Sequence, residues 1–263
     1  AGYNYPITGK IDCNVQAKGE LNNPTVNVDL LVNELGAYGA SVDTLRGRFI
    51  VKDKVVSIVD ELVSTKQVGD KSNRLVATGK IPLAALQDDA KDDGRQIDLR
   101  ISLDDADLSL LPTVSKYIDW AVGETDGIIN VSGTMGNPRF DGTLSVDNGA
   151  YKIKGVEKPV TGVAVKVVFD KDTITLEKCV GSMGGGNYTM SGYLKLDGVA
   201  PAEYHFDADI NKLDVRSSFY KGDLTSTVVV DSQAMPAEII GGVHYNERVI
   251  PKVSGNLLLE NVV

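Results

Sequence analysis

Any chemistry in this chain has to come from a short set of side chains. The two histidines, His205 and His244, lie far apart with no metal-like spacing. Two cysteines, Cys13 and Cys179, are too few for a disulfide framework or for the roughly four ligands of a structural zinc site. His205 falls between Tyr204 and Phe206 on the polar side of an alternating run, with no nucleophile partner in the local sequence. Ser182-Met-Gly-Gly-Gly-Asn187 is glycine-rich, but no Gly-Lys-Ser/Thr follows and no helix is signalled, so it reads as a tight turn. Asp88-Asp-Ala-Lys-Asp-Asp-Gly94 resembles half a calcium loop. There Lys91 takes a ligand position and Arg100 replaces the closing glutamate, which leaves a solvated acidic hairpin. Asn130-Val-Ser132 and Asn187-Tyr-Thr189 fit the glycosylation sequon and decide nothing. The expectation is a non-enzyme with no catalytic residue, no metal site and no cofactor.

The elements that carry these residues are strands. Of 263 residues, 42% are hydrophobic and 24% charged, a globular composition, and the net charge is −9. Such acidity disfavours nucleic acid and anionic lipid headgroups as partners. No stretch approaches the roughly 20 apolar residues of a membrane span, no signal-peptide pattern opens the chain, and the sequence reads as a piece of something longer. Apolar and polar residues alternate almost throughout: Ile11-Cys13-Val15-Ala17, Val26-Val28-Leu30-Val32, Leu99-Ile101-Leu103, Val163-Val165-Val167-Phe169, Ile174-Leu176 and Tyr204-Phe206-Ala208-Ile210 each share one parity. Breaks fall at turn clusters such as Lys52-Asp53-Lys54 and Asp170-Lys171-Asp172. The pattern is that of an antiparallel all-β protein. One segment differs: Leu108 to Val122 has apolar residues at Leu110, Leu111, Val114, Tyr117, Ile118 and Ala121, a helical spacing, with Gly123 as the stop. It predicts one short amphipathic helix carrying Trp120. Cys13 reads as facing inward and Cys179 outward, both as free thiols.

The chain also repeats itself. Gly19-Glu-Leu-Asn-Asn-Pro24 matches Gly133-Thr-Met-Gly-Asn-Pro138 at a spacing of 114, and Val51 to Ile58 corresponds to Phe169 to Leu176. The reading is one elongated unit over residues 1–263, with repeats of approximately 9–122 and 123–221 and a partial one over 222–263. Each ribbon must bury its apolar face. A sandwich core and a sheet folded lengthwise into a U satisfy the pattern equally. Runs of 7 to 10 residues would span about 25–30 Å, and some 16 strands would make a trough of roughly 75 Å.

The stretch from Val131 through Gly133, Asn137-Pro138 and Gly142 to Tyr151 resembles the TamB family of AsmA-like proteins. So do the preceding Asp107-Leu-Ser-Leu-Leu-Pro112 with Gly123 and Gly127, and Gly184–Gly186 leading to Met190 through Leu196. The likeness covers roughly residues 95 to 215 well and the flanks loosely, and in the first unit Val28 stands where the pattern has Gly142. The resemblance implies a long U-folded sheet with an apolar interior. It implies a whole protein of a diderm bacterial envelope, anchored in the inner membrane and crossing the periplasm. There it would partner an outer-membrane assembly protein and carry phospholipids, meeting membranes only through its flanks. A scaffold for outer-membrane β-barrel assembly, and a β-repeat adhesin, are the other readings. As a conduit, the wall that would touch acyl chains is expected at Val26, Val28, Leu30, Leu99, Ile101, Leu103, Leu144 and Val146. It continues through Val163, Val165, Val167, Phe169, Ile174, Leu176, Leu194, Leu196, Tyr204, Phe206 and Ile210.

Overall fold

The computed structural model describes residues 8–37, 40–68, 71–86, 92–108, 115, 117–240, 243–245 and 248–262. The first half comprises β1 (Thr8–Glu20), β2 (Asn23–Ala37), β3 (Ala40–Lys52), β4 (Val55–Val68), β5 (Lys71–Pro82), β6 (Ile97–Asp107), β7 (Ile118–Gly133) and β8 (Pro138–Ile153). The second comprises β9 (Val160–Lys171), β10 (Thr173–Met183), β11 (Gly186–Asp197), β12 (Ala200–Arg216), β13 (Lys221–Met235), the short pair β14 (Glu238–Ile240) and β15 (Val243–Tyr245), and β16 (Arg248–Glu260). Fourteen strands form one antiparallel meander in the order β1 to β13 and then β16, open at both edges. Among the described residues helical conformation is confined to a 3₁₀ turn at Leu83–Leu86 and to Leu108, which follows β6.

The helix expected at Leu108–Val122 is not formed over its described C-terminal part, although Leu108 itself is in 3₁₀ conformation. Residues 109–114 and 116 lie outside the described residues, whereas Ile118, Trp120, Ala121 and Val122 belong to β7. The register explains the misleading spacing. Ile118 pairs with Ile153 and Trp120 with Lys152, so a slip at the start of β7 places apolar Ile118 and Ala121 three apart, which imitates a helical turn.

Each of β2, β4, β6, β8, β10 and β12 carries surplus residues opposite its partner. They fall at Glu34 (or Leu35), Asp60-Glu61, Asp104-Asp105, Asp147-Asn148, Glu177-Lys178 and Asn211-Lys212. Glu34, Asp60, Asn148 and Lys212 adopt φ of 55°, 64°, 52° and 48°, the left-handed region that bulges use. A bulge inverts the alternation beyond it. In β8 the inward residues are even-numbered through Val146 and odd-numbered from Gly149. The bulges also splice two short alternating runs into one strand, so strands span 11 to 17 residues instead of the expected 7 to 10.

The turns after odd-numbered strands form one rim of the sheet and those after even-numbered strands the other. Gly19 pairs with Pro24 and Gly133 with Pro138, so the two copies of the Gly–Pro motif make equivalent turns on the first rim. The sheet is not flat. β8 and β12 stand four strands apart, about 19 Å in a flat sheet. On the second rim, however, Val156 bridges Ser217 and the Glu157 N–H donates to the Arg216 carbonyl at 2.7 Å. On the first rim, a Cβ on Gly198 would lie 2.4 Å from the Gly136 carbonyl oxygen. Asp92, before β6, ties down the same β7–β8 turn by accepting from Thr134 Oγ1 at 2.6 Å and from the Gly136 N–H at 2.9 Å. Strands β9, β10 and β11, of 12, 11 and 12 residues, are a short floor between the longer walls of β8 (16) and β12 (17).

Candidate functional site: an apolar trough

The register assembles one face of the sheet into parallel apolar lanes. One lane runs through every strand in turn: Ile11, Val32, Leu45, Ser64, Leu75, Leu103 and Gly127. It continues Leu144, Val167, Leu176, Gly192, Phe206, Val230 and Val253. Its one hydroxyl is Ser64. The next lane toward the first rim links Ala77, Ile101, Ile129, Gly142, Phe169, Ile174, Leu194 and Tyr204. Gly142 and Gly192 are places where the chain needs glycine: φ is 149° and 157°, and a Cβ would fall 1.9 Å and 2.2 Å from a neighbouring carbonyl oxygen. Phe169 and Phe206 stand opposite them and supply the apolar surface the glycines lack.

All nineteen residues expected to form the wall lie on this face. Val26, Val28 and Leu30 belong to its β2 stretch, Leu99, Ile101 and Leu103 to β6, and Leu144 and Val146 to β8. Val163, Val165, Val167 and Phe169 follow on β9, and Ile174 and Leu176 on β10. Leu194 and Leu196 lie on β11, and Tyr204, Phe206 and Ile210 on β12. Val146 and Val163 are buried, at 2% and 3% exposure, and the other seventeen are half-buried. The alternation alone did not reach Leu45, Phe49, Leu75, Ile129, Phe140, Val230 and Val253, which share the same face. The signal for them was present in Gly-x-apolar-x-apolar runs such as Gly47-Arg-Phe-Ile-Val51.

Half-burial separates an open trough from a sandwich core. A compact 28.1 kDa protein exposes about 11,000 Å², whereas this chain exposes 16125 Å². The lane ends at the sheet edges, Ile11 and Val253, are 65% and 66% exposed. The opposite face is wet: Asp29 and Arg48 are cross-strand neighbours there, as are Arg100, Asn130, Asp141 and Asp170 farther along. A cleft of about 710 Å³ beside the β4 bulge is lined by Asp12, Asp29, Arg46, Arg48, Asp60 and Glu61 among others. Its charges largely answer one another, through Arg48–Asp60 and an Arg74–Glu61 pair at 2.7 Å, while Cys13, Leu30, Leu31, Val59 and Val63 give the rest of its lining an apolar character.

Among the described residues one cluster of buried apolar side chains forms, toward the second rim of β9 to β12: Val160, Val163, Met183, Tyr188 and Leu213. Cys179 packs against it, opposite Val165, and so faces inward. The outward expectation for Cys179 fails because the surplus residue in β10 inverts the alternation after Leu176. Tyr151 Oη and Tyr188 Oη are 3.3 Å apart across two intervening strands. Burial pushes both phenols and the Cys179 thiol up from their ordinary values, so all three stay neutral. Both cysteines are free.

His205 lies on the wet face in the cross-strand row Tyr193, His205, Asp231, Lys252. Its Nδ1 is 2.7 Å from Asp231 and its Nε2 2.8 Å from Asp207, while the nearby Tyr193 hydroxyl donates to Glu203 at 2.7 Å. Hydrogen bonds to Asp231 and then Asp207 raise its pKa above 6.5. A raised value means that stabilisation is complete below about pH 6.5 and fades as pH climbs through the folded-state value. Between pH 6 and 8.5 the thermal midpoint of the wild type is therefore expected to fall further than that of His205→Gln. Equal slopes in a two-protein melting series would remove the His205 bridge from the account.

The fold and its lanes define an open β-groove protein. Among curated proteins, the chain is similar to Protein SUBSTANDARD STARCH GRAIN 4, chloroplastic, of Oryza sativa subsp. japonica, at 25% identity over 170 residues. That match covers 60% of this chain and 8% of the rice protein, so the chain spans less than a tenth of that relative's length. No family model matches the sequence, and no solved structure matches it.

Proposed function

We propose that this chain is a non-enzymatic segment of a longer, TamB-like envelope protein that carries phospholipids between membranes. The observation that carries the reading is an apolar lane crossing all fourteen strands in register, most of it half-buried between the exposed edge strands. Each methylene removed from water is worth about 0.8 kcal/mol, so an alkyl chain laid along the lane is held even when one side stays wet. Because the lane is aliphatic but for Phe206, held chains meet no deep local minimum and slide. Headgroups ride at the solvated mouth, and neither cofactor nor reaction is required. In this reading the whole protein works in the periplasm of a diderm bacterium, anchored in the inner membrane and joined to an outer-membrane assembly protein, and its flanks make the membrane contacts.

Native mass spectrometry of the chain purified from a diderm host tests this. Adducts of phospholipid mass are the expected result, and a lipid-free spectrum at all declustering energies sinks the reading. One observation favours a second reading, a scaffold for outer-membrane β-barrel assembly: every residue of the edge strand β1 is exposed, and a free edge accepts a client strand. A scaffold would crosslink unfolded barrel strands at β1 and β16 and be indifferent to charges placed in the lane.

A further inference from the structure

The trough is not the same along its length. Over β8 to β12 its second rim is crossed by a strap, Lys154 to Pro159, that leaves the end of β8 and docks on the end of β12. The Val156–Ser217 bridge and the Glu157–Arg216 hydrogen bond hold it from the main chain. Lys158 pairs with Asp214, which also accepts from Arg216 Nε at 2.9 and 3.2 Å, and Lys152 Nζ donates to the Glu157 carbonyl at 2.8 Å. Asp214 is only 9% exposed, so two cations converge on a nearly buried carboxylate. Val156 packs down onto the buried cluster. Beneath the strap, Val160, Val163, Met183, Tyr188 and Leu213 are 2–7% exposed, whereas Val167, Leu176 and Phe206, nearer the first rim, remain half-buried.

We propose that the Lys154–Pro159 strap seals the second rim of the trough over β8 to β12, so that alkyl cargo in this section neither enters nor leaves across that rim. This rests on the lipid-carrying reading and assigns it a side. The floor here is buried toward the strap, with Tyr188 at 6% exposure, and half-buried away from it at Leu176 and Leu194. An acyl chain is therefore placed beside Leu176 and Leu194 and not beside Tyr188.

Two measurements on the full chain test it, with Cys13 and Cys179 replaced by serine. In the first, p-benzoylphenylalanine is placed at Leu194 or at Tyr188 and irradiated with phosphatidylethanolamine–phosphatidylglycerol vesicles. Lipid adducts at position 194 should exceed those at 188 at least tenfold. Comparable adducts at both overturn the strap while leaving the lipid reading intact, and adducts at neither overturn both. In the second, the bridge is locked by a disulfide in Val156→Cys/Ser217→Cys, whose antiparallel pairing suits cross-linking. Loading of a fluorescent phospholipid should proceed at the same rate, within twofold, in the oxidised and reduced protein. A tenfold slowing that dithiothreitol reverses would show cargo passing beneath the strap and overturn the proposal.

Discussion

Val167→Asp is expected to lower co-purified phospholipid at least tenfold, while Val168→Asp, one residue along the same strand, leaves it within twofold of wild type. Val167 stands in the lane between Leu144 and Leu176, and Val168 stands between Thr143 and Thr175 on the other face. A carboxylate in the lane forces an alkyl chain either to desolvate a charge, which costs several kcal/mol, or to leave. Tenfold corresponds to about 1.4 kcal/mol, so even partial hydration of the new carboxylate leaves the effect large. Val165→Asp/Val167→Asp should empty the trough entirely. Circular dichroism separates loss of cargo from loss of fold, since both single variants must keep their β signal. If Val168→Asp loses lipid as completely as Val167→Asp, the two faces are not functionally distinct.

Tyr188→Ala should be the most damaging single truncation in the chain, at about 3–5 kcal/mol in denaturant melts, because a buried aromatic leaves a cavity that its neighbours fill poorly. Tyr188→Phe should cost only about 0.5–1.5 kcal/mol, as its hydroxyl partners, Tyr151 at 3.3 Å and the Cys179 thiol, are both neutral. Leu176→Ala, in the half-buried lane, should cost about 1 kcal/mol or less in lipid-free protein, below the roughly 2–5 kcal/mol of a filled core. The contrast matters more than either value. In a sandwich, Leu176 would be as costly to truncate as Tyr188; in a trough, packing energy concentrates in the plug beneath the strap and the lanes are left open for cargo.

Strand faces were legible from the sequence wherever alternation ran unbroken, which is why residues as distant as Val28 and Phe206 fall on one face. Polar pairs such as Asp147-Asn148 and Asn211-Lys212 interrupt the alternation as bulges inside strands. A period-2 count cannot tell an inserted residue from the end of a run, so strand length was underestimated and Cys179 was turned to the wrong face. The slip at Ile118 did the same at the start of β7, where it produced a false helical period. Continuity of the lane was out of reach for another reason. It depends on register between strands, and the six bulged strands set that register through long-range pairing that no local window contains. The strap escaped entirely, because Lys154-Gly-Val-Glu-Lys-Pro159 is an ordinary polar connection until its bridge to Ser217 is seen.

What everything else presupposes is a gutter that stands vacant when cargo is absent. Single cysteines placed at Leu45, Leu75, Leu144 and Phe206 in a Cys13→Ser/Cys179→Ser background, reacted with a small maleimide before and after lipid is added, probe that gutter along most of its length. All four should label readily in the stripped protein and become protected together once phospholipid is supplied. Thiols that resist the reagent in both conditions would mean a lane already filled by protein, with no space for a passenger.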